Sequence, residues 1–180
     1  SILPGLFQGC SDLETVIMHD GITSICDYAF GSGEYYDEND NHIMKACSSL
    51  KSLVLPAKLE SIGYEAFYGS AIEGESEDGT SAKLLNIPAN VKTIRYDAFR
   101  NCPNISGVKM LGTLPPQIDS DTFDEGTPIY VPNNALRTYT NAYADYSYPV
   151  LPYDMMDLSL TLEIEVTGEG DYKNIGCDKY

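Results

Sequence analysis

The chain has 180 residues, 43% of them hydrophobic, enough for one domain or one repeat array. No apolar run approaches the ~18 residues of a membrane-spanning helix. Its 11 Lys and Arg stand against 27 Asp and Glu, a formal charge of −16 that repels phosphate backbones and anionic lipid and argues against nucleic-acid and membrane-surface partners. That charge either serves solubility or draws basic partners or divalent cations, and no single dense acidic patch accounts for it. The chain begins with Ser1 rather than Met, as expected of a processed or truncated product.

Self-similarity organises the rest. The string Ile-x-x-x-Ala-Phe occurs at Ile25–Phe30, Ile62–Phe67 and Ile94–Phe99. Degenerate copies run from Ile2 to Phe7, with Leu6 in the Ala position, and from Ile118 to Phe123, with Thr122 there. In chain order, Leu13, Val16 and Met18 lead to Ile22, Ile25 and Phe30. Leu50, Leu53, Leu55 and Pro56 lead to Leu59, Ile62 and Phe67; Ala82, Leu85, Ile87 and Pro88 lead to Val91, Ile94 and Phe99. The first residue of each set lies 17 positions before its Phe, a coincidence of offsets that marks a repeat. Phe7 and Phe30 are 23 residues apart, Phe30 and Phe67 37, Phe67 and Phe99 32, and Phe99 and Phe123 24. The longer spacings imply insertions near 31–46 and 71–81.

Such a unit reads as a coil. The strand Leu53-Val54-Leu55 turns alternate side chains inward, and Pro56, lacking an N–H, ends it. A second extended piece brings in Leu59 and Ile62. The Ala-Phe pair gives close backbone approach and a ring to fill the centre. One unit cannot bury this set alone, so the core must come from stacking.

These residues, above all Leu50-x-x-Leu53-x-Leu55-Pro56-x-x-Leu59-x-x-Ile62-Gly63-x-x-Ala66-Phe67, resemble the BspA-like (Treponema pallidum type) leucine-rich repeats of secreted and surface proteins of Bacteroides-type bacteria. The resemblance covers about residues 2–153. It implies a β-rich repeat solenoid: a right-handed leucine-rich-repeat coil of ~23-residue units with short parallel strands. It also implies a secreted or cell-surface setting and adhesion to host extracellular or bacterial surface protein. The first unit starts midway, at Ile2, so an upstream repeat or domain is expected. Cys26 and Arg95 take the place of Gly63, which puts a glycine-specific turn there in doubt.

Thr127–Pro132 reads as a final strand, and Asn133-Asn134 as the start of a helix with Leu136, Tyr139 and Tyr143 on one face. Residues 127–153 are expected to cap the last coil, although Tyr143, Tyr146, Tyr148 and Tyr153 could instead form a carbohydrate or peptide platform. From Leu158 to Val166 apolar and polar residues alternate strictly, a half-buried strand. Residues 154–180 are therefore a strand tail, pairing in this chain or another, or the start of a second module.

Chemistry is harder to find. The histidines are His19, at a strand exit, and His42, in the first insertion. Of the five cysteines, Cys10, Cys47 and Cys102 share one register, expected to be buried thiols stacked as small hydrophobes. A Cys10–Cys47 disulfide is conceivable between neighbouring coils, while Cys26 and Cys177 are expected to be the exposed pair. No CxxC points to zinc. Asp37-Glu-Asn-Asp-Asn41 has calcium-type oxygens, but His42 and Ser48 stand where the loop template needs Gly and Glu, so a solvated loop fits better. No enzyme, cofactor or metal is expected; a hydrolase would need a nucleophile and base that the repeat does not bring together.

What remains is surface. If Leu53 and Leu55 point inward, Val54 points outward with Ile17, Asn86, Lys109 and Tyr130. A second outward row is Thr15, Ser52, Leu84, Gly107 and Pro128. Together they should form one ladder with many exposed apolar side chains, the expected protein-binding face. Tyr35 and Tyr36 in the first insertion should overhang it and set specificity. The competing expectation is a spacer presenting another domain.

Overall fold

A computed structural model describes residues 1–32, 34–36, 38–39, 42–44, 46–76 and 83–153. The strands are β1 (Thr15–Ile17), β2 (Ser24–Ile25), β3 (Glu34–Tyr36), β4 (His42–Met44), β5 (Ser52–Val54), β6 (Ser61–Ile62), β7 (Glu75–Ser76) and β8 (Lys83–Ile87). Then come β9 (Thr93–Ile94), β10 (Gly107–Met110), β11 (Gln117–Ile118), β12 (Ile129–Val131), helix α1 (Leu136–Ala142) and β13 (Val150–Pro152). The Leu158–Val166 tail lies outside the described residues.

The Ile of each repeated string forms a short strand, and these strands line up as the parallel sheet β2-β6-β9-β11. Its register is Ile25↔Ile62↔Ile94↔Ile118, with a bridge from Ile2 to Ile25. Every coil therefore presents the same position to its neighbour. Insertions leave this sheet intact because they fall elsewhere in the unit.

The centre is a column of rings. Phe7, Phe30, Phe67 and Phe99 stack at 4.9, 5.1 and 5.0 Å between centroids, within 9° of parallel. Phe99 and Phe123 follow at 5.9 Å. Parallel rings at this distance follow from the ~4.8 Å spacing of neighbouring strands. The backbone beside them repeats too. The amide of Phe7 donates to Ala29, that of Phe30 to Ala66, that of Phe67 to Ala98 and that of Phe99 to Thr122, at 2.8, 2.8, 2.9 and 2.9 Å. Ala29, Ala66 and Ala98 are fully buried, as is Thr122 in the same place, so a side chain much bulkier than these would separate the coils.

The turn before this pair is left-handed in four successive coils, at Gly5, Tyr28, Glu65 and Asp97, with φ of 60°, 59°, 48° and 56°. Gly63 itself is not in this region. The doubt about a glycine turn there is resolved two residues downstream, where only the first coil uses glycine and the others hold side chains in a disfavoured conformation.

The first insertion is an antiparallel hairpin, with Tyr35 opposite Ile43 and Tyr36 opposite His42, rather than a structureless loop. The second supplies β7, antiparallel to β8. Beyond β12, α1 lays Tyr139 and Tyr143 into the core, buried with Tyr148. β13 joins β12 in parallel, extending the sheet by one strand.

Two substitutions test this packing. A Cβ on Gly31 would fall 1.7 Å from the Glu65 carbonyl oxygen. Gly31→Ala should therefore cost roughly 2–3 kcal/mol in chemical denaturation, and a cost below ~0.5 kcal/mol would refute the close approach. The Tyr148 hydroxyl accepts from the Phe123 amide at 3.1 Å and donates to Ser120 O at 2.6 Å. Tyr148→Phe should cost about 1–3 kcal/mol by stranding a buried N–H, with faster hydrogen exchange at Phe123; an unchanged exchange rate would show that the bond is dispensable.

Candidate binding face and thiol column

The outward rows begin in register. Thr15 pairs with Ser52 and Ile17 with Val54 across β1 and β5. Leu84 pairs with Gly107 and Asn86 with Lys109 across β8 and β10, and Lys109 with Tyr130 across β10 and β12. One continuous ladder is nevertheless not what forms. β1 and β5 make a two-stranded sheet of their own, and β8 belongs to the five-stranded sheet β7-β8-β10-β12-β13. The second insertion causes the break. Glu73 donates its amide to Lys51 O at 2.8 Å, and β7 then pairs with the start of β8. A Cβ on Gly74 would lie 2.4 Å from Leu84 N, so this backbone runs directly against β8 where a β5–β8 pair would otherwise begin. A Lys83–Glu73 ion pair sits beside it.

The rows are also less apolar in exposure than expected. Ile17 is 81% exposed and Val54 47%. Leu84 is only 6% exposed, packed against the insertion and above Gly107, which corrects its assignment to an open surface. Thr15 and Ser52 are exposed, while Asn86, Lys109 and Tyr130 are half-buried. The Lys109 ammonium lies 5.1 Å from the centre of the Tyr153 ring. Where the two sheets part, a groove of about 190 Å³ opens, lined by Leu53, Val54, Leu55, Leu84 and Leu111 among others.

Two apolar contributors escaped the sequence argument. Leu111, 46% exposed, continues the period-2 alternation from Lys109, a signal present but unused. Leu151 pairs with Tyr130 through β13, a strand with no repeat signature of its own. Tyr35 and Tyr36 lie in the β3–β4 hairpin, and the placement of their side chains is outside what the structure describes.

The tyrosines do not make an open platform. Tyr139 donates to Gly112 and Leu114, Tyr143 to Pro116, Tyr146 to Ile118 and Tyr148 to Ser120. Tyr153 donates to Met110. Successive hydroxyls thus meet alternate carbonyls along the outer edge of the coil that holds β11. Burial pushes the Tyr139, Tyr143 and Tyr148 phenols further above their ordinary range.

The cysteines form a column only in part. Cys47 and Cys102 are buried, but Cys10 is exposed and Cys26 half-buried, against the expectation of three buried thiols and an exposed Cys26. Cys177 lies outside the described residues. The Cys47 thiol donates to Phe7 O at 3.0 Å and the Cys102 thiol to Phe67 O at 3.3 Å, each bonding to the preceding coil. Burial raises Cys47 to about 11 and Cys102 to about 12, which keeps both thiols protonated and poor nucleophiles. His19 uses Nδ1 to accept the Gly21 amide at 2.9 Å. Among the described residues no three His, Cys, Asp or Glu side chains converge as a metal site, and no helix is long and apolar enough to cross a membrane.

Ser70 occupies the same column in the coil between Cys47 and Cys102, and its buried hydroxyl has no hydrogen-bond partner among the described residues. Ser70→Ala should raise stability by roughly 1 kcal/mol, because it removes an uncompensated polar atom at little loss of volume. A destabilised Ser70→Ala protein in denaturant titration would contradict this.

A family model described as the BspA type leucine rich repeat region matches the chain in six copies, over residues 1–106 and 39–147. No curated protein matches the chain. With the two matched stretches spanning far more than half of its length, the chain belongs to the BspA-type leucine-rich-repeat family.

Proposed function

We propose that the chain is a non-catalytic, secreted or surface-attached adhesion module that holds a protein partner against its outward strand face. The family is consistent with a protein-interaction repeat module and is typically non-catalytic. In this reading the coil is right-handed with a unit of ~23 residues, residues 127–153 close it, and the partner is a host extracellular or bacterial surface protein. Ile17, Val54, Asn86, Lys109 and Tyr130 form the contact, bordered by Thr15 and Ser52, with Tyr35 and Tyr36 from the hairpin adding specificity.

The observation that carries the reading is the pair Ile17 and Val54, side by side in register with Ile17 81% exposed. A large aliphatic side chain held open to water on a rigid sheet gains ~25 cal/mol per Å² when a partner covers it. Among the described residues nothing covers Ile17.

The triple variant Ile17→Ala, Val54→Ala, Tyr130→Ala tests it, with immobilised extracellular-matrix protein extract as the probe. Retention of the purified chain should fall about tenfold or more, the ~1.4 kcal/mol expected when central apolar contacts are truncated. The variant's melting temperature should stay within a few degrees, since these side chains lie outside the core. Equal retention by variant and wild type would remove this face from the interaction.

A further inference from the structure

We propose that Cys10 and Cys47 form a reversible disulfide that staples the first described coil to the second. The two occupy equivalent places in adjacent coils. The Cys10 amide donates to Phe7 O at 3.1 Å, and the Cys47 amide donates to Phe30 O, also at 3.1 Å. The hairpin insertion thus leaves the chain and returns it to register just before Cys47. The rings of Phe7 and Phe30 stack at 4.9 Å, which sets the spacing of the two coils. Strand-like spacing of about 5 Å falls inside the ~4.4–6.8 Å between Cα atoms that a disulfide spans.

The Cys47 thiol is also aimed for it. Cys47 Sγ reaches across to the first coil and donates to Phe7 O at 3.0 Å, the same oxygen that accepts the Cys10 amide. Cys10 is exposed, so its χ1 can turn to meet Cys47 Sγ. The column offers no competing pair, because Ser70 stands in the coil between Cys47 and Cys102. Chemistry divides the roles. The accessible Cys10 meets the oxidant, and the buried Cys47 resolves the product.

With a low-molecular-weight disulfide as oxidant, the Cys10 thiolate attacks one sulfur, breaks the S–S bond and releases one small thiolate. Cys47 Sγ then gives up its proton to solvent and attacks Cys10 Sγ of the mixed disulfide, releasing the second small thiol. Two protein thiols lose two electrons, and one small disulfide becomes two thiols. Because burial holds Cys47 protonated, the second step is slow at neutral pH and faster as pH rises.

Oxidised glutathione added to the folded full-length chain is the test, read by peptide mapping under non-reducing conditions and by thermal melting. A Cys10–Cys47 cross-linked peptide should accumulate, faster at pH 9 than at pH 7. The melting temperature should rise by roughly 5–10 °C, a size expected for closing a loop of this length. Dithiothreitol should reverse the rise, and Cys10→Ser, at an exposed site, should abolish it while melting like the reduced wild type. The proposal is overturned if Cys10 remains a glutathione adduct with Cys47 free, or if Cys10 pairs with Cys26 or Cys177. It also fails if the cross-link forms only in denaturant.

Discussion

Everything in this molecule hangs on a ring and an amide that repeat together. Each Phe lies face to face with the next at close to the strand spacing, and its own N–H is tied to the small residue of the following coil. The ring supplies the buried apolar area and the amide supplies the register. Both depend on a compact, fully buried residue beside the ring, Ala in three coils and Thr122 in a fourth, because two backbones this close leave little room for a larger neighbour. A column of this sort is local in one dimension, since each coil is stabilised by the coils on either side and by little else.

That locality explains what the insertions can and cannot do. The sheet of Ile residues is uninterrupted through all its coils, because it lies next to the Phe column and no insertion enters it. The outward sheet sits on the far side of the coil, close to where both insertions leave and rejoin. Nine extra residues there are enough to place β7 against β8 and detach β5. The result is two short outward rows flanking a groove instead of one broad face.

The core was legible before any coordinates, since Phe, Ala, Ile and the strand leucines recur at fixed offsets and periodicity is a direct image of burial. The outward register of Ile17 with Val54, and of Asn86 with Lys109 and Tyr130, follows from the same offsets. What the pattern does not carry is the fate of residues outside the period. Leu84 is outward by alternation yet covered by a segment with no repeat partner. Leu151 pairs with Tyr130 from a strand the repeat does not announce. Cys10 shares a register with Cys47 and Cys102 but not their burial, because burial depends on a neighbour on each side and register does not.

The tyrosines carry a further meaning for the edge of the coil that holds β11. A parallel edge strand with vacant carbonyls is an invitation to any other strand, including that of another molecule. Here four tyrosine hydroxyls, from Tyr139 to Tyr148, answer carbonyls between Gly112 and Ser120 in turn. On this edge the donor is a side-chain O–H, so the carbonyls it meets are already engaged and less open to the N–H groups of another strand. The protection is a change in chemistry, from backbone donor to side-chain donor, supplied by residues that the repeat pattern itself does not contain.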